Sequence, residues 1–306
     1  MTNLRIICLL PSATEIVAAL GLTEQIVGRS HECDYPPEIL DRPICTTASI
    51  NSEQDDAQID ADIIDLVQQA ISIYQLKTDV LEQLQPTHII TQDQCDVCAV
   101  NFNLVEQAVG ELTSSHPQLI SLQPKLLPEV WTDIEQVATK LGVASQPILT
   151  QLQSRVTACQ QKTQVLPDNQ RPTVAAIEWL DPLMATGNWI PQLITIAGGN
   201  PLLGAWGEHS PYLEWEQLVA ADPEVIIIMP CGFNLDRTQE EAQQLVQRSE
   251  WSNLQAVRNS QVYLTDGNSY FNRPGPRLVD SLEILAEILH PELFHFGYQD
   301  TGWIRW

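Results

Sequence analysis

The chain has 306 residues, long enough for two hydrophobic cores rather than one, and 44% of them are hydrophobic. Its 39 acidic side chains against 15 basic ones give a formal charge of −24, which repels phosphate backbones and anionic lipid and argues against nucleic acid as a partner. No apolar run approaches the roughly 20 residues needed to span a bilayer.

Leu4 to Leu10 reads as a buried strand that Pro11 ends, too short for the apolar part of a secretory leader, so the sequence as it stands predicts a cytoplasmic protein, or a periplasmic one if a leader preceded it. Ser12 and Glu15 have the spacing of a capping box at the start of a helix that Gly21 stops. Ile26 to Gly28 predicts a second strand, which runs into the loop Ser30 to Pro37. Apolar residues at Ile63, Ile64, Val67, Ala70, Ile71 and Tyr74 predict an amphipathic helix over 60–74. The segment Leu81 to Ile90 then ends a helix at Pro86 and starts a third strand at once, and Leu119 to Leu122 supplies a fourth.

From Pro128 the pattern is helical. Val130, Ile134, Val137 and Leu141 form one stripe, Gly142 interrupts, and Leu149, Leu152, Val156 and Cys159 resume it, which predicts a stiff helical connector of roughly 35 residues. The second half repeats the first. Thr173 to Ile177 is a strand followed by a loop from Glu178 to Trp189, and Ile190 to Ala197 is a helix stopped by Gly198. Leu218 to Ile227 copies the Pro86 unit around Pro223. A strand at Gln261 to Leu264 and a helix at Leu278 to Leu289 close the chain. Two copies of a helix-to-parallel-strand unit predict an α/β fold of two lobes with parallel sheets joined by a long connecting helix, divided as 1–143, 144–168 and 169–306. In such folds a ligand is expected in a crevice at the strand ends, facing both lobes.

Of the seven cysteines, Cys8 and Cys159 read as core residues. Cys95 and Cys98 form a C-x-x-C pair beyond a strand end, and the loop His31, Glu32, Cys33, Asp34 holds more donors of the same kind. If the two loops lie side by side, Cys33, Cys95, Cys98 and His31 have the chemistry of a zinc or iron site. Ligation of a bound tetrapyrrole's metal, a disulfide if the protein is exported, and free thiols in a reducing cytoplasm are the other readings. Catalysis is not expected. There is no G-x-S-x-G, P-loop or dinucleotide-binding glycine pattern, although His31 beside the thiols keeps a thiol enzyme open as a third reading. His88 reads as structural, His290 and His295 as helix-end residues, and His209 as lying in an exposed loop.

Five segments carry a family resemblance: Leu10 to Glu15, Glu178 to Pro182, Gly187 to Pro191, Ala197 to Asn200 and Phe271 to Arg277. In their order and spread the chain resembles the cobalamin-binding solute receptors of ABC importers, within the class III periplasmic-binding-protein-like folds whose lobes are joined by a rigid helix. Receptors for haem, siderophores and other metal chelates share the plan. The resemblance implies non-catalytic binding of a corrinoid or related macrocycle for uptake or intracellular delivery. Ligand contacts would come from the strand-end loops: Pro11, Ser12, Ala13, Thr14, His31, Glu32, Tyr35, Gln94, Trp179, Asp181, Trp189, Phe233, Tyr270, Phe271 and Arg273. It also implies an importer permease as partner, met by acidic residues in Glu53 to Asp56 and Glu214 to Glu216. A rigid two-lobed binder needs no second copy, so a monomer is expected.

Overall fold

The computed structural model describes residues 4–49, 51, 53–68, 74–92, 102–112 and 114–306. By its internal contacts the chain forms two compact units: Met1–Gln54, Gln58–Pro124 and Pro128–Thr150 make the first, and Asp55–Ala57, Lys125–Leu127 and Gln151–Trp306 the second.

In the first unit the elements are β1 (Ile6–Cys8), α1 (Pro11–Ala19), β2 (Ile26–Arg29), β3 (Thr46–Ala48), α2 (Asp56–Gln68), β4 (Tyr74–Leu76), α3 (Thr78–Leu84), β5 (His88–Gln92), α4 (Phe102–Glu111), β6 (Gln118–Leu122) and α5 (Leu127–Leu141), followed by α6 (Gln146–Thr163), within which the chain passes to the second unit. Four strands form a parallel sheet in the order β2-β1-β5-β6, and β3 and β4 make a separate antiparallel ribbon. The apolar side chains of Ile7, Leu9, Leu81, Ile89 and Val105 fill one core cluster.

The second unit continues with β7 (Thr173–Leu180), β8 (Leu183–Ala185), α7 (Ile190–Ile196), β9 (Asn200–Leu202), α8 (Trp215–Ala221), β10 (Val225–Ile228), α9 (Leu235–Val246), α10 (Gln255–Arg258), β11 (Val262–Thr265), α11 (Leu278–Leu289) and β12 (Trp303–Arg305). Its sheet runs β12-β11-β10-β7-β8, with β9 also on β7. The pairs among β7, β9, β10 and β11 are parallel, while β8 and β12 are antiparallel. Ile177, Ile226, Ile228 and Leu264 lie in its core.

The repeated helix-proline-strand unit forms by the same device each time. Gln85 (φ 45°) and Asp222 (φ 36°) end α3 and α8 in the left-handed conformation, and their amides return to Leu81 O and Leu218 O. The proline that follows disfavours another right-handed helical residue before it, so the chain leaves directly for β5 or β10.

Four expectations are corrected. The capping box does not form, because Pro11 takes the first helical position with Leu10 as cap, and Ser12 and Glu15 are buried in α1. The helix expected over 60–74 starts earlier and is described to Gln68, while Tyr74 opens a strand. The long connector is two helices of 15 and 18 residues, since Gly142 (φ 72°) turns the chain between them. The loop expected from Glu178 is still strand to Leu180 and then a hairpin into β8.

Candidate functional site

In both units the candidate loops follow the carboxyl ends of parallel strands. In the first unit, Pro11 to Thr14 form the opening turn of α1. Ser12, Ala13 and Thr14 are buried, and the Thr14 hydroxyl lies 2.7 Å from Pro11 O and 3.0 Å from Tyr35 O. The loop after β2 is organised by Arg29, a buried guanidinium that donates to three backbone carbonyls, Ser30 O at 3.2 Å, Cys33 O at 2.9 Å and Leu40 O at 3.0 Å. This draws the backbone inward and leaves His31, Glu32 and Tyr35 at or near the surface. His31 is held by Thr46 Oγ1 (2.7 Å from Nδ1), by the Glu32 carboxylate (3.1 Å from Nε2) and by the Tyr74 ring at 5.4 Å.

Two of the four residues of the thiol-metal expectation, His31 and Cys33, are described. Cys33 is fully buried, its Sγ 3.7 Å from Cys8 O, and so does not share a rim with His31. Burial, with Cys33 and Cys45 close by, pushes the neighbouring Cys8 thiol well above its ordinary range, in keeping with its reading as a core residue. Among the described residues no group of three or more His, Cys, Asp or Glu side chains is placed to hold a metal ion. Gln94, Cys95 and Cys98 lie outside the described residues.

In the second unit, Trp179 sits near the end of β7 with its ring 5.2 Å from Phe233, and its indole N–H donates to Asp56 O at 3.3 Å. Phe233 is buried, and the Arg237 guanidinium stands 3.7 Å from its ring centroid. Asp56 is buried beneath Gln244, whose amide lies 3.1 and 3.3 Å from its two oxygens. Burial raises the Asp56 pKa above the usual carboxylate value, and the charge of Asp181 adds to that rise. Asp181 itself is partly exposed, in the turn between β7 and β8.

Three aromatic residues expected at the ligand surface belong instead to the core. Phe271 is 0% exposed, Phe233 2% and Trp189 7%. The Trp189 indole N–H donates to Phe271 O at 2.6 Å, and Ser281 Oγ accepts from the Phe271 amide at 3.0 Å. The protein itself encloses the apolar area of these three rings that the sequence reading assigned to ligand. Arg273 is also buried and donates to Asn268 Oδ1 at 2.9 Å, whereas Tyr270 keeps a partly exposed ring between Phe271 and Tyr298. His209 is exposed, as expected from its loop.

Two features escape the sequence reading. Asp133, on the apolar stripe of α5, is 7% exposed and has one carboxyl oxygen without a hydrogen-bond partner among the described residues. Burial first, then the nearby Glu129 charge, raises its pKa to about 7 against a hydrogen bond from the Gln123 backbone. Trp206 stands half-exposed in the loop after β9. The only local signal for it is a pair of flanking glycines, Gly204 and Gly207.

The sequence profile of periplasmic binding proteins matches residues 6–268. The chain belongs to that family. Members of the periplasmic binding protein family bind solutes without transforming them. Among curated relatives, an uncharacterized ABC transporter substrate-binding lipoprotein, YvrC of Bacillus subtilis, is 23% identical over 297 residues, covering 95% of this chain and 81% of the relative. The vitamin B12-binding protein of Vibrio cholerae is 23% identical over 295 residues, covering 93% and 88%. Among solved structures, the periplasmic heme-binding protein BhuT in complex with two hemes superposes with a TM-score of 0.70 at 19% identity, covering 94% of this chain and 98% of that one. The likeness to solved structures is one of fold: two α/β lobes built on parallel sheets. No described helix is long and apolar enough to cross a membrane.

Proposed function

We propose that this chain is the solute receptor of an importer, and that its solute is a metal-centred macrocycle of the corrinoid kind, held without turnover by the loops at the carboxyl ends of its parallel strands. The observation that carries the reading is the match to a vitamin B12-binding protein along 93% of the chain. The loop chemistry supports it. In the second unit Trp179 and Tyr270 keep partly exposed aromatic faces and Asp181 a partly exposed carboxylate; in the first unit His31 and Glu32 supply polar groups on a strand-end loop, and a large flat solute with amide arms needs both kinds of contact. Haem is the second reading, favoured by the structural likeness to a heme-binding protein.

The permease partner would be met through exposed carboxylates. Of the acids in Glu53 to Asp56 and Glu214 to Glu216, Asp56 is buried, while Glu53, Asp55, Glu214 and Glu216 are exposed. Uptake puts the protein on the outer side of the membrane, in keeping with a periplasmic family.

The test is titration of the purified protein with cyanocobalamin and with hemin, followed by absorption spectroscopy. Saturation by cyanocobalamin at one equivalent is expected. Saturation by hemin alone would replace the corrinoid with haem, and binding of neither sinks the macrocycle reading.

A further inference from the structure

Trp206 is the only one of the eight tryptophans that is exposed, at 50%. A single exposed aromatic residue is ordinary on a protein surface. What sets this one apart is its mount. The Gly207 amide donates to Asn188 O at 2.9 Å, and the Asn188 amide donates to Glu208 O at 2.6 Å, so the loop carrying Trp206 is bonded in both directions to the loop between β8 and α7. The contact is too close for side chains. A Cβ on Gly204 would collide with the Thr186 carbonyl, and one on Gly187 with the backbone of Glu208 and Ser210.

The second loop is fixed in turn. The Gly187 amide donates to Ser210 Oγ at 3.0 Å, Ser210 Oγ donates to Glu178 Oε2 at 2.8 Å, and the Thr186 amide reaches Ala176 O of β7 at 3.1 Å. The Leu127 amide donates to Gln192 Oε1 at 2.9 Å, and a Cβ on Gly207 would lie 3.7 Å from the Leu126 side chain. An indole with half its surface in solvent is therefore carried on a backbone locked to the carboxyl-terminal end of a central strand. An aromatic residue on a fixed backbone has only its two side-chain torsions to lose when a flat ligand stacks on it, so it binds at a lower ordering cost than one on a mobile loop.

We propose that Trp206 is the stacking surface that the second unit offers to the face or edge of the bound macrocycle, taking the role that the sequence pattern assigns to Trp189. The assignment rests on the solute-receptor reading above. It makes the locked pair of loops a specificity element, because ring area at this position favours planar, extended solutes over compact chelates.

The test is titration of the full chain and of Trp206→Ala and Trp206→Phe with cyanocobalamin and hemin, with circular dichroism and thermal melting as controls. Because Trp206 is half-exposed and its indole makes no hydrogen bond to a described residue, both variants are expected to fold and melt like the parent. The alanine variant is expected to bind roughly tenfold more weakly, and the phenylalanine variant to recover most of the loss. Parent and alanine variant binding equally tightly overturns the assignment while leaving the receptor reading in place. A parent that binds neither macrocycle overturns both.

Discussion

Arg155 meets Glu283 through two parallel hydrogen bonds, Nε to Oε1 at 2.9 Å and Nη2 to Oε2 at 2.6 Å, across 128 positions of sequence. The same guanidinium pairs with Asp280, and the Tyr298 hydroxyl completes the cluster at 3.2 Å from Asp280 and 3.1 Å from Glu283. It ties the second half of α6 to α11. Replacing Arg155 with Met leaves two carboxylates facing each other with little water. The expected loss is about 2–3 kcal/mol, less than for a fully enclosed pair because the arginine remains partly wet. Urea unfolding at neutral pH measures it; a midpoint equal to that of the parent would show that the cluster contributes nothing.

Asp133 should make stability depend on pH near neutrality. Its carboxyl is raised to about 7 when folded, against an ordinary value of 3.8. Between those values the folded chain holds a proton that the unfolded chain releases, so this group's contribution to stability falls as pH rises toward 7 and is constant above it. Asp133→Asn removes the dependence. The stability of the variant relative to the parent is therefore expected to increase from pH 5 to pH 8, and a difference that does not change with pH would refute the sign.

Glu287 should act in the opposite sense. Burial works to raise its pKa, but hydrogen bonds from the Gly297 amide (2.7 Å), the Trp303 indole (3.0 Å) and the Tyr298 amide (3.1 Å) prevail and hold it below the usual carboxylate range. Its contribution is present above pH 4.5 and lost as pH falls through the lowered value. Glu287→Ala is expected to cost about 2 kcal/mol at pH 7 and progressively less in acid. Melting curves at pH 7 and pH 3 test this, and an equal cost at both would count against it.

Trp179 and Trp189 should separate under mutation. Trp189 is buried and bonded to Phe271 O, so Trp189→Ala is expected to destabilise the chain by about 3–5 kcal/mol. Trp179 is partly exposed, so Trp179→Ala is expected to weaken macrocycle binding by roughly 1–3 kcal/mol with a smaller effect on melting. Chemical unfolding and ligand titration on both variants decide the matter; a stable Trp189→Ala that has lost ligand would reverse the two roles.

These contrasts mark where sequence reading works and where it stops. The helix-proline-strand units at Pro86 and Pro223 were legible because each rests on neighbours in sequence: an apolar helical stripe, a proline that cannot continue it, and a run of β-branched residues. The same holds for β7, β10, β11 and α11, and for the two-lobed α/β class they imply. Short elements that exist only through their partners were not legible. The ribbon of β3 and β4, the hairpin strand β8 and the edge strand β12 each have three residues and no periodicity to read.

The strand-end loops were located from their order in the chain, but the aromatic residues in them could not be sorted. Trp189, Phe233 and Phe271 have the same local signature as Trp206, a large ring beside Gly or Asn. Which of them faces solvent depends on what α7, α11 and the neighbouring loops place beneath them. Local sequence carries the backbone preferences that make an element or break it. Burial is set by contacts between residues far apart in the chain, and the tertiary structure alone assigned Phe271 to the core and left Trp206 at the surface.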